Sequence, residues 1–351
     1  MKITILYFYL SKSSFVKKDL KILSTVYNVR ESQFDSSNKL LTPLRFIIQL
    51  IYIFINIWGC KMIVCQFSGY HSFLPVIFSK ILNKPSLIIS GGTDCVAFPS
   101  IGYGNFNKNF LGLFTAFSFK YCTHISPVHQ SLMISDYTYQ TNDYSQQGLL
   151  FFHPEITTPY TVIYNGYDSS KWCRVKEKRK NLFLTVAAGL YMPFSKQLKG
   201  IDLILEIAND FPQCEFMIIG ADEKIMNCGI SNLIGIPYVE NEKLPEYYSQ
   251  AEFYLQLSMS EGFPNALCEA MLCECVPIAS NVSSMPGIIS NSGYVLMKRD
   301  VNELKQLISK AISVDTKNLS KTARENIVKK YPEKKREEEL IALLNQMMNK
   351  S

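Results

Sequence analysis

Glu261 and Glu269, two carboxylates with seven residues between them, stand in the run Ser260-Glu-Gly-Phe-Pro-Asn-Ala-Leu-Cys-Glu-Ala-Met-Leu272. Before them, Ala251-Glu-Phe-Tyr-Leu-Gln-Leu257 reads as a buried strand that ends in small polar residues at Ser258 to Ser260. Gly262 permits a sharp turn, and Pro264 suits the first helical position, where no backbone donor is lost. From Asn265 onward, Leu267, Ala270 and Met271 fall at helical spacing. Glu261 therefore belongs to a loop and Glu269 to the helix about one turn in. The free amides between them make an anion site, flanked by carboxylates that accept from hydroxyls. A sugar joined to a diphosphate fits that pattern. A strand-turn-helix bearing two solvated glutamates is the plain alternative.

The rest of the chain must supply a scaffold and a cation. Its 351 residues suffice for two domains, and 47% hydrophobic against 19% charged residues describes buried cores. The formal charge of +6 reads as mild and scattered, densest at Lys171 to Lys180 and Lys329 to Arg336. No aromatic-interleaved basic patch accompanies those runs, so no nucleic-acid partner is expected. Ten cysteines include no CxxC pair, and the four histidines show no paired ligand spacing, so reduced thiols and no metal are expected. No GxGxxG, Walker loop or Asp-x-Asp occurs, which argues against nicotinamide enzymes, NTPases and a metal held by paired aspartates; no cofactor is expected. Lys199, in Lys199-Gly200 ahead of a helix, is then the best cation to meet a diphosphate.

Short β-rich runs alternate with helical stretches from end to end, predicting an α/β fold of two doubly wound parallel sheets facing across a cleft. In the first half, strands are expected at Lys2 to Phe8, Val29 to Phe34, Met62 to Gln66, Ser86 to Ser90, His124 to Ser126 and Tyr160 to Tyr164, and a helix at Val128 to Tyr137. The apolar start, Met1 to Leu10, lacks a small-residue cleavage site and reads as the first strand. Gly91-Gly92-Thr93-Asp94 follows a strand, at the edge where ligands of parallel sheets gather. The boundary falls after the turn Asn165-Gly-Tyr-Asp168, giving an acceptor-side domain at 1–166, a donor domain at 167–330 and a last helix at 331–351 that packs back on the first domain. Leu44 to Trp58 is almost wholly apolar, but its 15 residues fall short of the ~20 needed to span a bilayer. Arg45, Gln49, Tyr52 and Asn56 form one polar stripe along it. A helix buried on most sides is expected, with an interfacial helix resting on a membrane as the alternative.

Several runs together resemble glycosyltransferase family 4, of GT-B architecture. These are Leu244-Pro-Glu-Tyr-Tyr248, Ala251-Glu-Phe-Tyr254, Ser260 to Met271, Val276-Pro-Ile-Ala-Ser280, Met285-Pro-Gly-Ile-Ile289, Val162 to Asp168 and Lys199-Gly-Ile-Asp-Leu-Ile204. Gly91-Gly92-Thr93-Asp94, with Gly102-Tyr-Gly104, resembles one bacterial and archaeal branch. The resemblance implies metal-independent, retaining transfer of a sugar from a nucleotide-diphospho-sugar, a UDP- or GDP-sugar, to a glycan or lipid-linked acceptor. It implies a cytoplasmic protein in surface polysaccharide or glycolipid assembly, in peripheral contact with the inner membrane face. By position, Glu261 would bind donor-sugar hydroxyls and the amides around Gly262, Phe263, Pro264 and Asn265 the sugar and diphosphate. Glu269 would hold the ribose diol, and Lys199 the leaving diphosphate.

The chain also departs from that pattern. Ala187-Ala-Gly-Leu190 stands where an arginine is usual, with Lys196 in the following loop as a compensating cation. Gly91 stands where many members carry a histidine, leaving Asp94 as the candidate acid–base group, and Gly287 stands in place of a common glutamate. Ser11-Lys-Ser-Ser14 replaces a glycine-rich loop, and Ser13 with Gly92 would line the cleft. These departures keep two other readings open: a degenerate relative that binds nucleotide or a partner without turnover, and a nucleotide-sugar epimerase.

Overall fold

The computed structural model describes residues 2–35 and 38–350; Met1, at the head of the expected first strand, lies outside them. The first sheet contains β1 (Thr4–Tyr9), β2 (Asn28–Gln33), β3 (Met62–Gln66), β4 (Ser86–Ser90) and β5 (His124–Pro127) in the order β2-β1-β3-β4-β5, all parallel. Ile5 to Phe8, Met62 to Cys65 and Leu87 to Ile89 are buried at every position, without alternation. Both faces of this sheet are therefore covered, by α1 (Ser14–Val26), α2 (Thr42–Asn56), α3 (Tyr70–Ile81) and α4 (Asn109–Tyr121). A two-residue ribbon, β6 (Ser135–Asp136) with β7 (Gln146–Gln147), and the single turn α5 (Leu149–Phe152) close this half.

The second sheet holds β8 (Arg179–Val186), β9 (Glu215–Ile219), β10 (Leu233–Ile236), β11 (Ala251–Gln256), β12 (Val276–Ser280) and β13 (Tyr294–Leu296). Its order, β10-β9-β8-β11-β12-β13, is again parallel throughout. Around it lie α6 (Ser195–Leu198), α7 (Ile201–Ile207), α8 (Glu223–Met226), α9 (Leu244–Gln250), α10 (Asn265–Leu272), α11 (Met285–Ile289), α12 (Val301–Ile312) and α13 (Lys317–Lys330), followed by α14 (Glu333–Asn349). The strand order reverses direction between β8 and β11, and the crevice at such a switch point is where doubly wound sheets bind ligands. The loops leaving β8 and β11 carry Lys199 and Glu261 into that crevice. All ten cysteines are free, eight of them buried.

Four local expectations give way to the structure. Val128 to Tyr137 is not a helix but a single turn at Gln130–Leu132 followed by β6, because the His129 ring accepts the Ser131 amide and Tyr137 pairs its backbone with Ser145. Tyr160 to Tyr164 runs extended beside β5 and bonds to it at Pro159, Thr161 and Ile163, but only one bridge forms, Ile125 with Tyr160. The short β13, absent from the expected elements, completes the second sheet beside β12. The apolar helix α2 is not buried on most sides. Its polar stripe faces inward instead, where Gln49 donates to the His71 carbonyl (2.8 Å), Tyr52 to the Glu31 carbonyl (3.2 Å) and Arg30 to Asn56 (2.9 Å).

The two halves are joined at the crossing from α13 to α14. Tyr167 donates to the Tyr331 carbonyl and accepts from the Glu333 amide, so the linker between the domains pairs with the entry to the last helix. One turn later Arg336 lies over α1. Its guanidinium forms two bonds to the Asp19 carboxylate (2.9 and 2.8 Å) and donates to the Ile163 and Tyr164 carbonyls. Arg336 is 5% exposed and Asp19 1%, so removing either partner strands a buried charge. Arg336→Ala is expected to lower unfolding stability by about 3–5 kcal/mol. Urea titration of the single and double variants checks this. Additive losses from Arg336→Ala and Asp19→Ala would show that the pair is not coupled.

Candidate active site

Glu261 sits five residues beyond the last residue of β11, and its Oε1 collects three donors: Lys199 Nζ (2.6 Å), Ser258 Oγ (2.9 Å) and Gln256 Nε2 (3.1 Å). Gln256 and Ser258 lie at alternate positions where the strand runs out, so their side chains share one side and converge on the carboxylate. Lys199 arrives from the loop after β8, fixed by the Met259 amide bonding to the Leu198 carbonyl (2.8 Å). The next residue must be glycine: Gly200 has φ +68°, and a Cβ there would fall 2.4 Å from the Leu257 carbonyl oxygen. Burial pulls the Lys199 ammonium down, but the Glu261 carboxylate more than offsets it and the pKa rises. Lysine and glutamate, assigned to different parts of a ligand by sequence, thus form one ion pair.

The segment from Gly262 to Leu267 presents backbone. Pro264 is the residue before α10 rather than its first, and no side chain caps the helix. Among the described residues, the amides of Gly262, Phe263, Asn265, Ala266 and Leu267 donate to no protein acceptor. The side chains here serve the scaffold. Phe263 is 6% exposed, ringed by Tyr164, Tyr167, His129 and Tyr331 at centroid distances of 5.8, 6.3, 6.5 and 5.0 Å. Asn265 Oδ1 accepts from Tyr167 Oη (2.7 Å) and Asn165 Nδ2 (3.1 Å), tying the helix start to the interdomain linker. Glu269, 4% exposed, receives one long bond from Tyr248 Oη (3.4 Å). Burial raises its carboxyl to about 7, with Lys18 and Lys171 opposing.

From the first domain, Gly91 and Gly92 meet this loop directly. A Cβ on Gly262 would lie 1.9 Å from the Gly91 carbonyl oxygen, so backbone touches backbone across the cleft. Asp94 does not reach the cleft. It is 1% exposed, and its carboxylate accepts the amides of Ser68 (3.0 Å), Gly92 (3.1 Å) and Gly91 (3.3 Å). Burial lifts it to about 6 against those bonds. Asp94, expected as the acid–base group, instead has its carboxylate turned inward onto the glycine loop. Lys196 is likewise drawn away, to Asp222 at 3.1 Å. Ser13 precedes α1 with its Oγ buried and unbonded, and it contacts none of the donor-side residues by hydrogen bond.

Three residues not singled out as site groups complete the arrangement. Lys18 of α1 donates to the Gly166 carbonyl (3.2 Å), lies 4.7 Å from the centre of the Tyr167 ring and interacts electrostatically with Glu269. In sequence it is one of several lysines of an amphipathic helix, indistinguishable from a solvated one. His129 accepts the Ser131 amide, and Ser131 Oγ bonds Ser283 Oγ of the second domain (2.6 Å), which donates to the Gly262 carbonyl (3.3 Å). Tyr103, inside Gly102-Tyr-Gly104, bonds Thr93 Oγ1 (2.7 Å) and packs on Phe194 of the second domain at 5.7 Å. The flanking glycines were the available signal for Tyr103.

Residues 174–330 match the family model of glycosyl transferases group 1, a span that contains Lys199, Glu261 and Glu269. The O-antigen chain mannosyltransferase B of Escherichia coli is 33% identical over 87 residues, 25% of this chain and 23% of that protein. An uncharacterised 41.2 kDa protein in the cps region of Klebsiella pneumoniae is 30% identical over 147 residues, 39% of each chain. The chain thus covers well under half the length of these relatives. Sucrose-phosphate synthase from Thermosynechococcus elongatus superposes over 100% of both chains with a TM-score of 0.78 at 12% identity. Anabaena HepE, solved with UDP and glucose, covers 98% of this chain and 99% of its own, with a TM-score of 0.71 at 12% identity. These likenesses define the class: a GT-B fold, two Rossmann-like domains closing on a cleft.

The raised Glu269 carboxyl has a measurable consequence. A folded-state pKa near 7 against 4.5 unfolded means the folded chain holds the proton more tightly. Its contribution to stability is intact below about pH 4.5 and is lost as pH rises through about 7, by on the order of 3 kcal/mol. Glu269→Gln is expected to flatten this part of the stability–pH profile of the ligand-free protein. Denaturant midpoints at pH 5 and pH 8 test it, and identical slopes for both proteins would refute the assignment.

Proposed function

We propose that this protein is a retaining glycosyltransferase that moves a sugar from a nucleotide-diphospho-sugar to an acceptor hydroxyl. The observation that carries the reading is the Glu261–Lys199 pair beside a row of unpaired amides at the start of α10. Glu261 has a second oxygen, Oε2, with no protein partner among the described residues, available to donor-sugar hydroxyls. Lys199 Nζ spends one of its three hydrogens on Glu261, leaving two for a diphosphate. The α10 amides and Lys18 add positive potential from the helix end and the opposite domain. Cation and amides together meet the leaving-group charge without a metal ion. Glu269 suits the ribose diol, being buried and underused as an acceptor.

Retention brings the acceptor in on the face the leaving group departs from. The bond from the anomeric carbon to the diphosphate oxygen breaks, and the acceptor oxygen takes its place. The departing phosphate oxygen is then the nearest base for the acceptor's proton, which fits a site where Asp94 faces inward. The donor in this reading is a UDP- or GDP-sugar and the acceptor a glycan or lipid-linked glycan; the O-antigen and cps-region names of the relatives favour a setting in surface polysaccharide assembly.

Screening UDP-, GDP- and ADP-sugars for thermal stabilisation and slow hydrolysis tests the reading. A true donor at 100 times its Kd should add about 2.7 kcal/mol of apparent stability. Binding with neither hydrolysis nor transfer to extracts containing acceptor would favour a catalytically silent binder. Glu261→Gln keeps size and should cut turnover about 100-fold or more in a protein that still unfolds cooperatively, with some stability lost because Lys199 loses its counter-charge; wild-type turnover in that variant would refute the site. Gly262→Ala forces the Gly91 loop away and should also cost about 100-fold in turnover, since catalysis tolerates ångström misplacement poorly. Full activity there would mean that the glycine contact is not part of the working state.

A further inference from the structure

We propose that the outer face of α2, α3 and α4 is a docking surface for an anionic lipid bilayer. Helix α2 is amphipathic in the reverse of the usual sense. Its polar residues bond into the protein, while Leu44, Ile47, Ile48, Ile51 and Ile55, together with Trp58 just past its end, are each 50–72% exposed. The patch continues across neighbouring helices. Phe54 packs edge-on against Phe78 of α3 at 5.3 Å, and Ile81, Phe110 and Leu113 are 68%, 74% and 65% exposed. Between α3 and α4 runs an apolar groove of about 290 Å³, lined by Ile77, Lys80, Ile81, Phe117 and Tyr121. Exposed apolar patches of this extent mark interaction sites.

Charge identifies the occupant. The net +6 is not scattered: between Asp35 and Asp136 the chain has seven Lys or Arg and one acid, Asp94. That stretch alone accounts for 7 − 1 = +6, and the rest of the chain balances. Asp94 is 1% exposed, so residues 38–135 themselves expose no carboxylate, while Asp35 just before them pairs with Arg45 of α2 (2.7 Å). Lys80 and Lys120, both exposed, flank the groove at Tyr121. A second copy of this chain would set the same basic stretch against itself in a two-fold contact. An anionic headgroup layer meets it with opposite charge, worth about 1 kcal/mol per Lys or Arg near the surface. No helix among the described residues is long and apolar enough to cross a membrane, so α2 would lie flat, with Trp58 at headgroup depth.

The test is flotation of the full chain with vesicles of phosphatidylcholine alone or mixed with phosphatidylglycerol. The wild type should float with the mixed vesicles and largely stay behind with the neutral ones. Ile47→Ser/Ile51→Ser/Ile55→Ser should reduce the bound fraction about tenfold or more, given about 0.8 kcal/mol per buried CH₂. All three sites are more than half exposed, so thermal unfolding should be unchanged. Lys80→Gln/Lys120→Gln should erode the preference for phosphatidylglycerol while sparing the fold. A wild type that floats with neither vesicle, or a triple isoleucine variant that floats like it, overturns the proposal. So does self-association in sedimentation that the triple variant abolishes without vesicle binding, which would assign the face to a second copy. Donor binding plays no part in the readout, so the outcome is independent of the sugar-transfer reading.

Discussion

The guanidinium of Arg336, buried against Asp19 and two linker carbonyls, is the constraint on which the rest of this molecule depends. It holds α1 of the first domain to a helix that follows the second. Through α1 it sets where Lys18 stands. The same crossing fixes Tyr167, whose hydroxyl holds Asn265 at the first residue of α10. One buried ion pair therefore orients both walls of the cleft. Such pairs add little net stability over apolar packing, but breaking one is costly, and specificity of arrangement is the property they are best placed to supply.

The second domain's side of the cleft shows how neutral a highly charged site can be. Glu261 and Lys199 cancel one another while Gln256 and Ser258 keep the carboxylate oriented. Under the proposed transfer, an approaching diphosphate would find a partly buried lysine already aimed by its carboxylate partner. Preorganisation of this kind avoids rearranging charge at the moment of reaction. The backbone contact between Gly262 and Gly91 adds a second economy, since no side chain separates the Gly262 loop from the opposite domain.

The legible parts of the sequence were those governed by local periodicity. Apolar runs such as Met62 to Gln66 and Ser86 to Ser90 became strands at the expected residues, because a strand buried on both faces writes itself as an unbroken apolar word. The Gly262–Leu272 turn and helix were readable for the same reason, whereas Lys199 stood out only by its place before Gly200 at a helix start. What could not be read depends on partners distant in the chain. The orientation of α2 follows from acceptors at Glu31 and His71, not from its own pattern. Asp94 looks like a cleft acid in sequence, yet three amides of its own and a neighbouring loop turn it inward. Lys196, expected as a compensating cation, pairs with Asp222 instead, and Lys18 acquires its meaning only from Glu269. Val128 to Tyr137 carries helical spacing that two local hydrogen bonds override.

The clasp at α14 also bears on how the molecule is made. Arg336 follows Asp19 by 317 residues. At about 5–20 residues per second, a ribosome needs roughly 15–60 s to deliver the partner. Throughout that interval the nascent first domain displays a carboxylate whose destined niche has no counter-charge. Its early form must therefore tolerate water around Asp19 and finish consolidating after the second domain has been made. The order of synthesis and the order of completion run in opposite directions.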